Sequence, residues 1–205
     1  MRWAPMPMPM LALVWALGLS GGAQAANVTV QVRDPAGKAL AGAVVAVEVG
    51  GVARTAAPGV RAEISQRQRT FEPGLLVVQT GTSVDFPNLD TVRHHVYSFS
   101  PAKTFELKLY NGRPSSPVLF DRAGVVTLGC NIHDQMIGTV VVVDTPLFGR
   151  TDAGGQLVLD LPAGTHRLRT WHPQMREGTD LQSRALTVGA AGAPAVVVSL
   201  PVVAP

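Results

Sequence analysis

The chain has 205 residues, of which 17 are lysine or arginine and 14 are aspartate or glutamate, giving a formal net charge of +3. So small an excess of positive charge gives no argument for nucleic-acid binding. The sequence has no nucleophile elbow, phosphate loop, paired-carboxylate pattern or His-Glu-x-x-His motif. A hydrolase or a nucleotide-dependent enzyme therefore has little support.

The first residues have the pattern of a secretory signal. Arg2 precedes an apolar run from Leu11 to Leu19, and small residues then lead to Ala23-Gln24-Ala25, which has the form of an A-x-A cleavage site. We therefore expect a signal peptide at residues 1–25 and a periplasmic mature chain that begins at Ala26. The apolar run is too short for a membrane span, and none is expected after processing.

Short apolar runs rich in Val, Thr and Leu, broken by Gly and Pro, predict an all-β fold. No stretch has a helical periodicity long enough for a convincing helix. In the opening part, Val28 to Arg33 and Ala43 to Val49 are predicted as two strands of a hairpin-like unit, with Asp34-Pro35-Ala36-Gly37 supplying a turn between them.

The middle of the chain, residues 61–145, contains enough predicted strands for a small sandwich. These strands are Ile64 to Phe71, Leu75 to Gln79, Ser83 to Phe86, Val96 to Phe99, Phe105 to Tyr110, Pro117 to Phe120, Val125 to Leu128 and Gly138 to Val143. After Pro146 the predicted strands resemble the opening part more than the middle. They are Leu157 to Leu161, His166 to Trp171, Leu186 to Val188 and Ala195 to Leu200.

Cys130 is the only cysteine, so it cannot form an intramolecular disulfide in an exported chain. A lone cysteine is most often a small buried hydrophobic residue. Cys130, however, lies in a loop between two apolar strands, and His133 and Met136 follow it at short offsets. These features favour a metal ligand.

Two histidines upstream can complete the site, and His94 lies 36 residues before Cys130. A thiolate, an imidazole and a weak thioether from one loop, joined by a distant imidazole, favour a single copper ion with a trigonal His2Cys core and a long axial Met. Adjacent residues of a strand point to opposite faces, so only one of His94 and His95 can face the ion. The residues alone leave the choice between His94 and His95 open.

Residues 61–145 resemble the cupredoxins, the plastocyanin and amicyanin type of blue copper protein. His94-His95-Val96 matches the segment of the upstream ligand, and the short loop from Cys130 to Met136 matches the amicyanin-like form. The resemblance implies one type 1 copper ion held by His94, Cys130, His133 and Met136. It also implies single-electron transfer between redox protein partners, without enzymatic activity. Gly129 and Ile132 depart from the aromatic residue and the proline that the family often has there.

The flanking segments resemble a carboxypeptidase regulatory-like, or transthyretin-like, β-sandwich, with Val28 to Val45 as its first part and Thr151 to Leu168 as its second. The expected organisation is a signal peptide at 1–25, the transthyretin-like sandwich at 26–60 and 146–205, and a cupredoxin-like copper domain at 61–145. The predicted fold class is therefore all-β, with a cupredoxin-like Greek-key sandwich inserted in a transthyretin-like sandwich. The middle region also resembles methylamine utilisation-type proteins.

Other interpretations remain open from the sequence alone. The same ligands would serve copper trafficking or buffering, and a sandwich that lost its metal would be a structural or ligand-binding module. Zinc is a further alternative, although zinc prefers a fourth strong donor. Asn88 either braces the site through a hydrogen bond or forms a turn beside Pro87. Ile132, Ile137 and Phe86 are candidates for an apolar collar around the site.

Overall fold

The computed structural model describes residues 25–190 and 192–203. The predicted signal peptide therefore lies outside the described residues, apart from Ala25. Within the described ranges, no helix has the length and apolar character needed to cross a membrane.

The described residues form 17 strands and one short 3-10 helix at Val49–Gly51. The first nine strands are β1 (Ala25–Arg33), β2 (Val44–Glu48), β3 (Arg61–Glu63), β4 (Ser65–Arg67), β5 (Thr70–Glu72), β6 (Leu75–Gln79), β7 (Thr82–Asp85), β8 (His94–Ser100) and β9 (Lys103–Tyr110). The others are β10 (Val118–Phe120), β11 (Gly124–Gly129), β12 (Ile137–Val143), β13 (Phe148–Arg150), β14 (Gln156–Pro162), β15 (Gly164–Trp171), β16 (Gln182–Val188) and β17 (Val196–Ser199).

Strands from the two ends of the chain form two sheets, with the orders β14-β1-β17 and β13-β2-β15-β16. We call this pair the outer sandwich. Valines and leucines from both sheets share one core, in which Val28, Val30, Val45 and Leu168 are fully buried. The alternation of buried and exposed residues along β1 is the pattern of a strand with one face on a core and one in water.

Strands from the middle of the chain form a second pair of sheets, with the orders β10-β7-β3 and β6-β12-β11-β8-β9. We call this pair the central sandwich. Its core includes the fully buried side chains of Phe120, Val126 and Leu128. The hairpin formed by β4 and β5 is a separate two-stranded sheet beside this sandwich.

Strand β12 connects the two cores. Successive side chains of a strand point to opposite faces, and here Val140 and Val142 lie in the core of the central sandwich whereas Val141 and Val143 lie in the core of the outer one. All five residues of β2, on the facing sheet of the outer sandwich, are buried. The two sandwiches therefore pack face to face through apolar side chains.

The sheets confirm the predicted all-β fold with two sandwiches. The domain boundaries and the likeness of the outer sandwich to transthyretin-like proteins stay predictions. The expected hairpin between the first two strands is wrong, because β1 pairs with β14 and β17 while β2 pairs with β13 and β15. β1 and β2 lie in opposite sheets of the outer sandwich, so each packs its apolar side chains against the core that the two sheets share.

The strand predicted from Ile64 to Phe71 is also wrong. The chain reverses at Gln68 and Arg69, so that β4 pairs with β5 as a tight hairpin. Both turn residues have positive φ, 51° for Gln68 and 60° for Arg69. Residues other than Gly, Asn and Asp rarely adopt the left-handed conformation. Gln68 and Arg69 therefore gave no turn signal in the sequence.

Because β12 contributes side chains to both cores, we predict that the two sandwiches unfold together. Val141→Ala and Val142→Ala each remove buried methyl groups from a different core and should each lower the free energy of unfolding by about 1–3 kcal/mol. In a chain that begins at Ala26, Trp171 is the only tryptophan, and it lies in the outer core. Its fluorescence should report a lower denaturation midpoint in both variants.

The control is Val197→Ala, since Val197 is 51% exposed and its truncation should change stability little. A Trp171 transition that moves in Val141→Ala but not in Val142→Ala would contradict coupled unfolding.

Candidate metal centre

The pairing of β11 with β8 brings the cysteine loop against the upstream histidines. The two strands are antiparallel, and Gly129 at the end of β11 lies opposite Tyr97 of β8. The chain beyond Gly129 therefore runs toward the start of β8, where His94 lies. Strand pairing alone thus places Cys130 and His94 at the same end of the sheet.

Three donor side chains converge there. The Cys130 Sγ lies 3.9 Å from His94 Nδ1 and 3.9 Å from His133 Nδ1. The three donor atoms all lie within 4.8 Å of one another. His94 is fully buried and Cys130 is 4% exposed, whereas His133 is only partly buried. The ring planes of His94 and His133 meet at 62° with their centroids 5.1 Å apart.

These distances fit one transition-metal ion. A metal–sulfur bond of about 2.3 Å and a metal–nitrogen bond of about 2.0 Å together exceed the 3.9 Å between Sγ and each Nδ1, so one ion can contact the sulfur and either nitrogen at these separations. One thiolate and two imidazoles are the soft and borderline donors that suit copper or zinc. The residues present therefore fit the group that the sequence predicts.

Met136 lies at the far end of the ligand loop. Its side chain is 1% exposed and belongs to the same core as Cys130. Its backbone N–H donates to the carbonyl of His133 at 2.9 Å, which closes the loop tightly. The thioether is thus held in the apolar core that also contains Cys130, and its role as an axial ligand stays a prediction.

A carboxylate holds the outer nitrogen of His94. The distance from His94 Nε2 to Asp90 Oδ2 is 2.7 Å. An ionised carboxylate can only accept, so Nε2 carries the proton and Nδ1 presents its lone pair toward Cys130. Partial burial raises the pKa of Asp90, but the hydrogen bonds that it accepts together outweigh burial, and its pKa lies below the usual value.

His95 lies outside the cluster. Its Nε2 is 2.9 Å from Glu106 Oε1, and its ring centroid lies 5.5 Å from that of Tyr97, with the ring planes tilted by 36°. A register shift between His94 and Val96 separates the surroundings of the two histidines. Of the two upstream candidates, the structure therefore brings only His94 to the cysteine.

Asn88 braces the loop that carries Asp90. Its side-chain amide donates to the carbonyls of Val92 at 2.8 Å and Tyr110 at 2.9 Å, while its Oδ1 accepts from the N–H of Asp90 at 3.0 Å. The hydrogen-bonding role considered for this residue is present, although it reaches the site through Asp90.

Gly129, directly before Cys130, lies where a larger side chain would collide with a neighbouring ring. A Cβ on Gly129 would lie 2.8 Å from Cζ and 2.9 Å from Oη of Tyr97. The Tyr97 ring therefore occupies the space beside Cys130 that a side chain at position 129 would need. An aromatic ring still covers this point of the chain, and it comes from the neighbouring strand.

Apolar side chains are exposed around the loop. Ile132 is 47% exposed and Ile137 is 63% exposed, and Leu89 and Val92 on the loop before His94 are 50% and 40% exposed. Phe86, the third residue considered for the collar, is wrong for that role because it is 1% exposed and lies in the core. A groove on the Cys130 side is also lined by Tyr97, Phe99 and, from the outer sandwich, Glu177.

The remaining histidines have structural contacts in the outer sandwich. His166 accepts from the N–H of Gly50 and lies 2.8 Å from the carbonyl of Pro162. His172 lies 3.1 Å from the carbonyl of Ala41 and accepts from the N–H of Gln174. Burial lowers the pKa of His172. Both rings are therefore satisfied by backbone groups.

Sequence reasoning missed Asp90 and Tyr97. No local pattern marks Asp90 as a partner of His94, because their contact depends on the path of the chain between them. A signal for Tyr97 was present in Gly129, since a glycine beside a ligand often marks the close approach of another group.

No family model matches the chain, and no curated protein matches it. Among solved structures, a reduced mutant of amicyanin is similar at 19% identity and a TM-score of 0.37, covering 48% of this chain and 97% of that one. An oxidised amicyanin mutant matches over the same shares with 18% identity and a TM-score of 0.37. A purple cupredoxin from Nitrosopumilus maritimus has 24% identity and a TM-score of 0.35, covering 40% of this chain and 98% of that one.

We predict that Gly129→Ala destabilises the protein because the new methyl group collides with Tyr97. The expected loss is about 1–3 kcal/mol of unfolding free energy, as for other overpacked sites. Gly74→Ala is the matched control, since its Cβ would meet only the carbonyl of Phe71 at 3.8 Å. Chemical denaturation of both variants measures the difference.

The same change in a Tyr97→Ala background separates this collision from a backbone effect. Removing the ring should remove most of the cost of Gly129→Ala. An equal cost in both backgrounds would contradict the assignment.

Proposed function

We propose that this protein carries single electrons on one copper ion held by His94, Cys130 and His133, with Met136 as a weak fourth ligand. The observation that carries the proposal is the convergence of two histidine Nδ1 atoms on the cysteine sulfur, each at 3.9 Å from it, with His94 and Cys130 buried. When bound, the copper would supply the Cu(II)/Cu(I) couple.

The protein would keep this couple fast by holding its donors still. His94 is fixed through its outer nitrogen by Asp90, and the sulfur of Cys130 lies in the packed core. Donors that are held in place before the metal arrives need little rearrangement when the charge of the ion changes. We therefore propose an electron carrier and not an enzyme.

The route of the electron would pass through His133. It is the least buried of the three donors. The side chains of Ile132, which precedes it in the loop, and of Ile137, at the start of β12, are both exposed. An exposed apolar patch of this kind suits a transient protein partner. Redox proteins of the periplasm are the partners that we propose, following the signal-like residues 1–25.

Copper trafficking is the second candidate for the same ligands. A trafficking protein needs its donors open to an incoming ligand, and here two of the three donors are almost completely buried. The burial of His94 and Cys130 favours the electron carrier. A metal-free module is disfavoured because it has no use for three converging donors.

The direct experiment adds Cu(II) to the chain that begins at Ala26 and records its visible spectrum. We expect an intense blue thiolate–copper band that bleaches reversibly with a reductant. Cys130→Ser should abolish the band, and His94→Ala should abolish or strongly weaken it. His95→Ala is the matched control and should keep the band, because the adjacent His95 is buried but contacts Glu106 instead.

Two results would overturn the proposal. A folded wild-type protein without the band would exclude a thiolate–copper carrier, and loss of the band in His95→Ala but not in His94→Ala would refute the ligand set. Competition with a chelator tests trafficking separately, since a carrier should release copper slowly and a trafficking protein rapidly.

A further inference from the structure

A tight hairpin turn lies against the carboxylate that holds His94. The turn links β4 to β5 through Gln68 and Arg69, both in the left-handed conformation. In this conformation their two N–H groups point to one acceptor. Gln68 N–H donates to Asp90 Oδ1 at 2.6 Å, and Arg69 N–H donates to Asp90 Oδ2 at 2.9 Å.

The same carboxylate meets His94 on its other side. Asp90 Oδ2 lies 2.7 Å from His94 Nε2, so this oxygen accepts from both the turn and the imidazole. The Asp90 side chain is 15% exposed and the His94 side chain is fully buried. Three donors thus converge on one carboxylate whose own backbone N–H is fixed by Asn88.

We propose that Asp90, clamped by the Gln68-Arg69 turn, is a positioning residue that sets the tautomer of His94 and lowers the reduction potential of the copper site. This inference rests on the proposed function for its second half. A neutral imidazole has one N–H, and an acceptor at Nε2 keeps it there, which leaves Nδ1 free to bind metal. A negative charge near the ion also stabilises Cu(II) more than Cu(I).

A purely structural role for Asp90 would have different consequences when the residue is replaced. Asp90 could simply cap the hairpin turn, and its loss would then change the stability of the protein without changing the properties of the metal site. The adjacent histidine offers an internal comparison. His95 also meets a carboxylate, that of Glu106, but this side chain is 55% exposed. It faces a histidine that lies outside the donor cluster.

The test compares Asp90→Asn with Glu106→Gln, which each remove one carboxylate charge from the partner of a histidine. The single amide oxygen of asparagine cannot accept from the two turn N–H groups and His94 together. Both variants are also made in a Gln68→Gly/Arg69→Gly background. Glycine adopts positive φ without steric cost, so the turn should form there even when the carboxylate no longer holds it.

The first readout needs no metal. Nitrogen-15 NMR of the histidine rings in the metal-free protein should show His94 protonated at Nε2 in the wild type and a mixture of tautomers in Asp90→Asn. Glu106→Gln should leave His94 unchanged. An unchanged His94 tautomer in folded Asp90→Asn would overturn the proposal.

The second readout is the reduction potential of the copper-loaded protein. Asp90→Asn should shift the preference for Cu(I) over Cu(II) by about tenfold or more, which raises the potential of this one-electron couple by about 59 mV. Glu106→Gln should shift it by much less. Equal shifts in the two variants would overturn the proposal and leave Asp90 as a cap for the turn.

The two proposals fail in distinguishable ways. A wild-type protein without a thiolate–copper band refutes the proposed function and, with it, the effect on potential. In that case the metal-free NMR comparison still decides whether Asp90 sets the His94 tautomer. A normal wild-type band with no difference between the variants refutes the inference about Asp90 alone.

Discussion

The structure depends on a strand whose last four residues, Val140–Val143, are buried on both faces. Strand β12 alternates valines between two hydrophobic cores, pairs with β11 on one side and with β6 on the other, and begins directly after the loop that carries Cys130, His133 and Met136. Burial of both faces stabilises the strand through the hydrophobic effect and fixes its register. The outer sandwich therefore helps to fix the end of the ligand loop.

The candidate site is built on this support by contacts within the protein. The start of β8 and the end of β11 meet at one end of a sheet, so His94 and Cys130 approach each other through backbone pairing. The hairpin of β4 and β5 contacts the surroundings of the site at two places. Its turn reaches Asp90, and the ring of Phe71 packs against Gly138, close to the end of the ligand loop. Donors that are held by backbone pairing and hydrogen bonds suit a metal whose charge changes in use.

The ligand loop could be predicted from the sequence because its chemistry is local. Cys130, His133 and Met136 lie within seven consecutive residues, and the spacing alone suggests donors to one ion. The alternation of a strand allowed either His94 or His95, and the resemblance of His94-His95-Val96 to the cupredoxin segment favoured His94. The β-rich composition likewise predicted the fold class, since period-two patterns and turn residues are also local signals.

The features that could not be predicted from the sequence depend on contacts between distant segments or on unusual local conformations. The turn at Gln68 and Arg69 has no glycine, asparagine or aspartate, so it could not be recognised as a turn. The role of Asp90 follows only from its hydrogen bonds to that turn and to His94 in the folded chain. The pairing of β1 and β2 with strands from the far end of the chain was hidden for the same reason, because adjacent strands more often pair with each other.

X-ray absorption at the copper edge tests the central claim most directly. The copper-loaded protein would be measured in both oxidation states. Our account predicts one sulfur and two imidazole nitrogens around the ion, with nearly the same distances before and after reduction. Copper surrounded only by nitrogen and oxygen, or a change in the number of ligands on reduction, would contradict a preformed electron-transfer site at His94, Cys130 and His133.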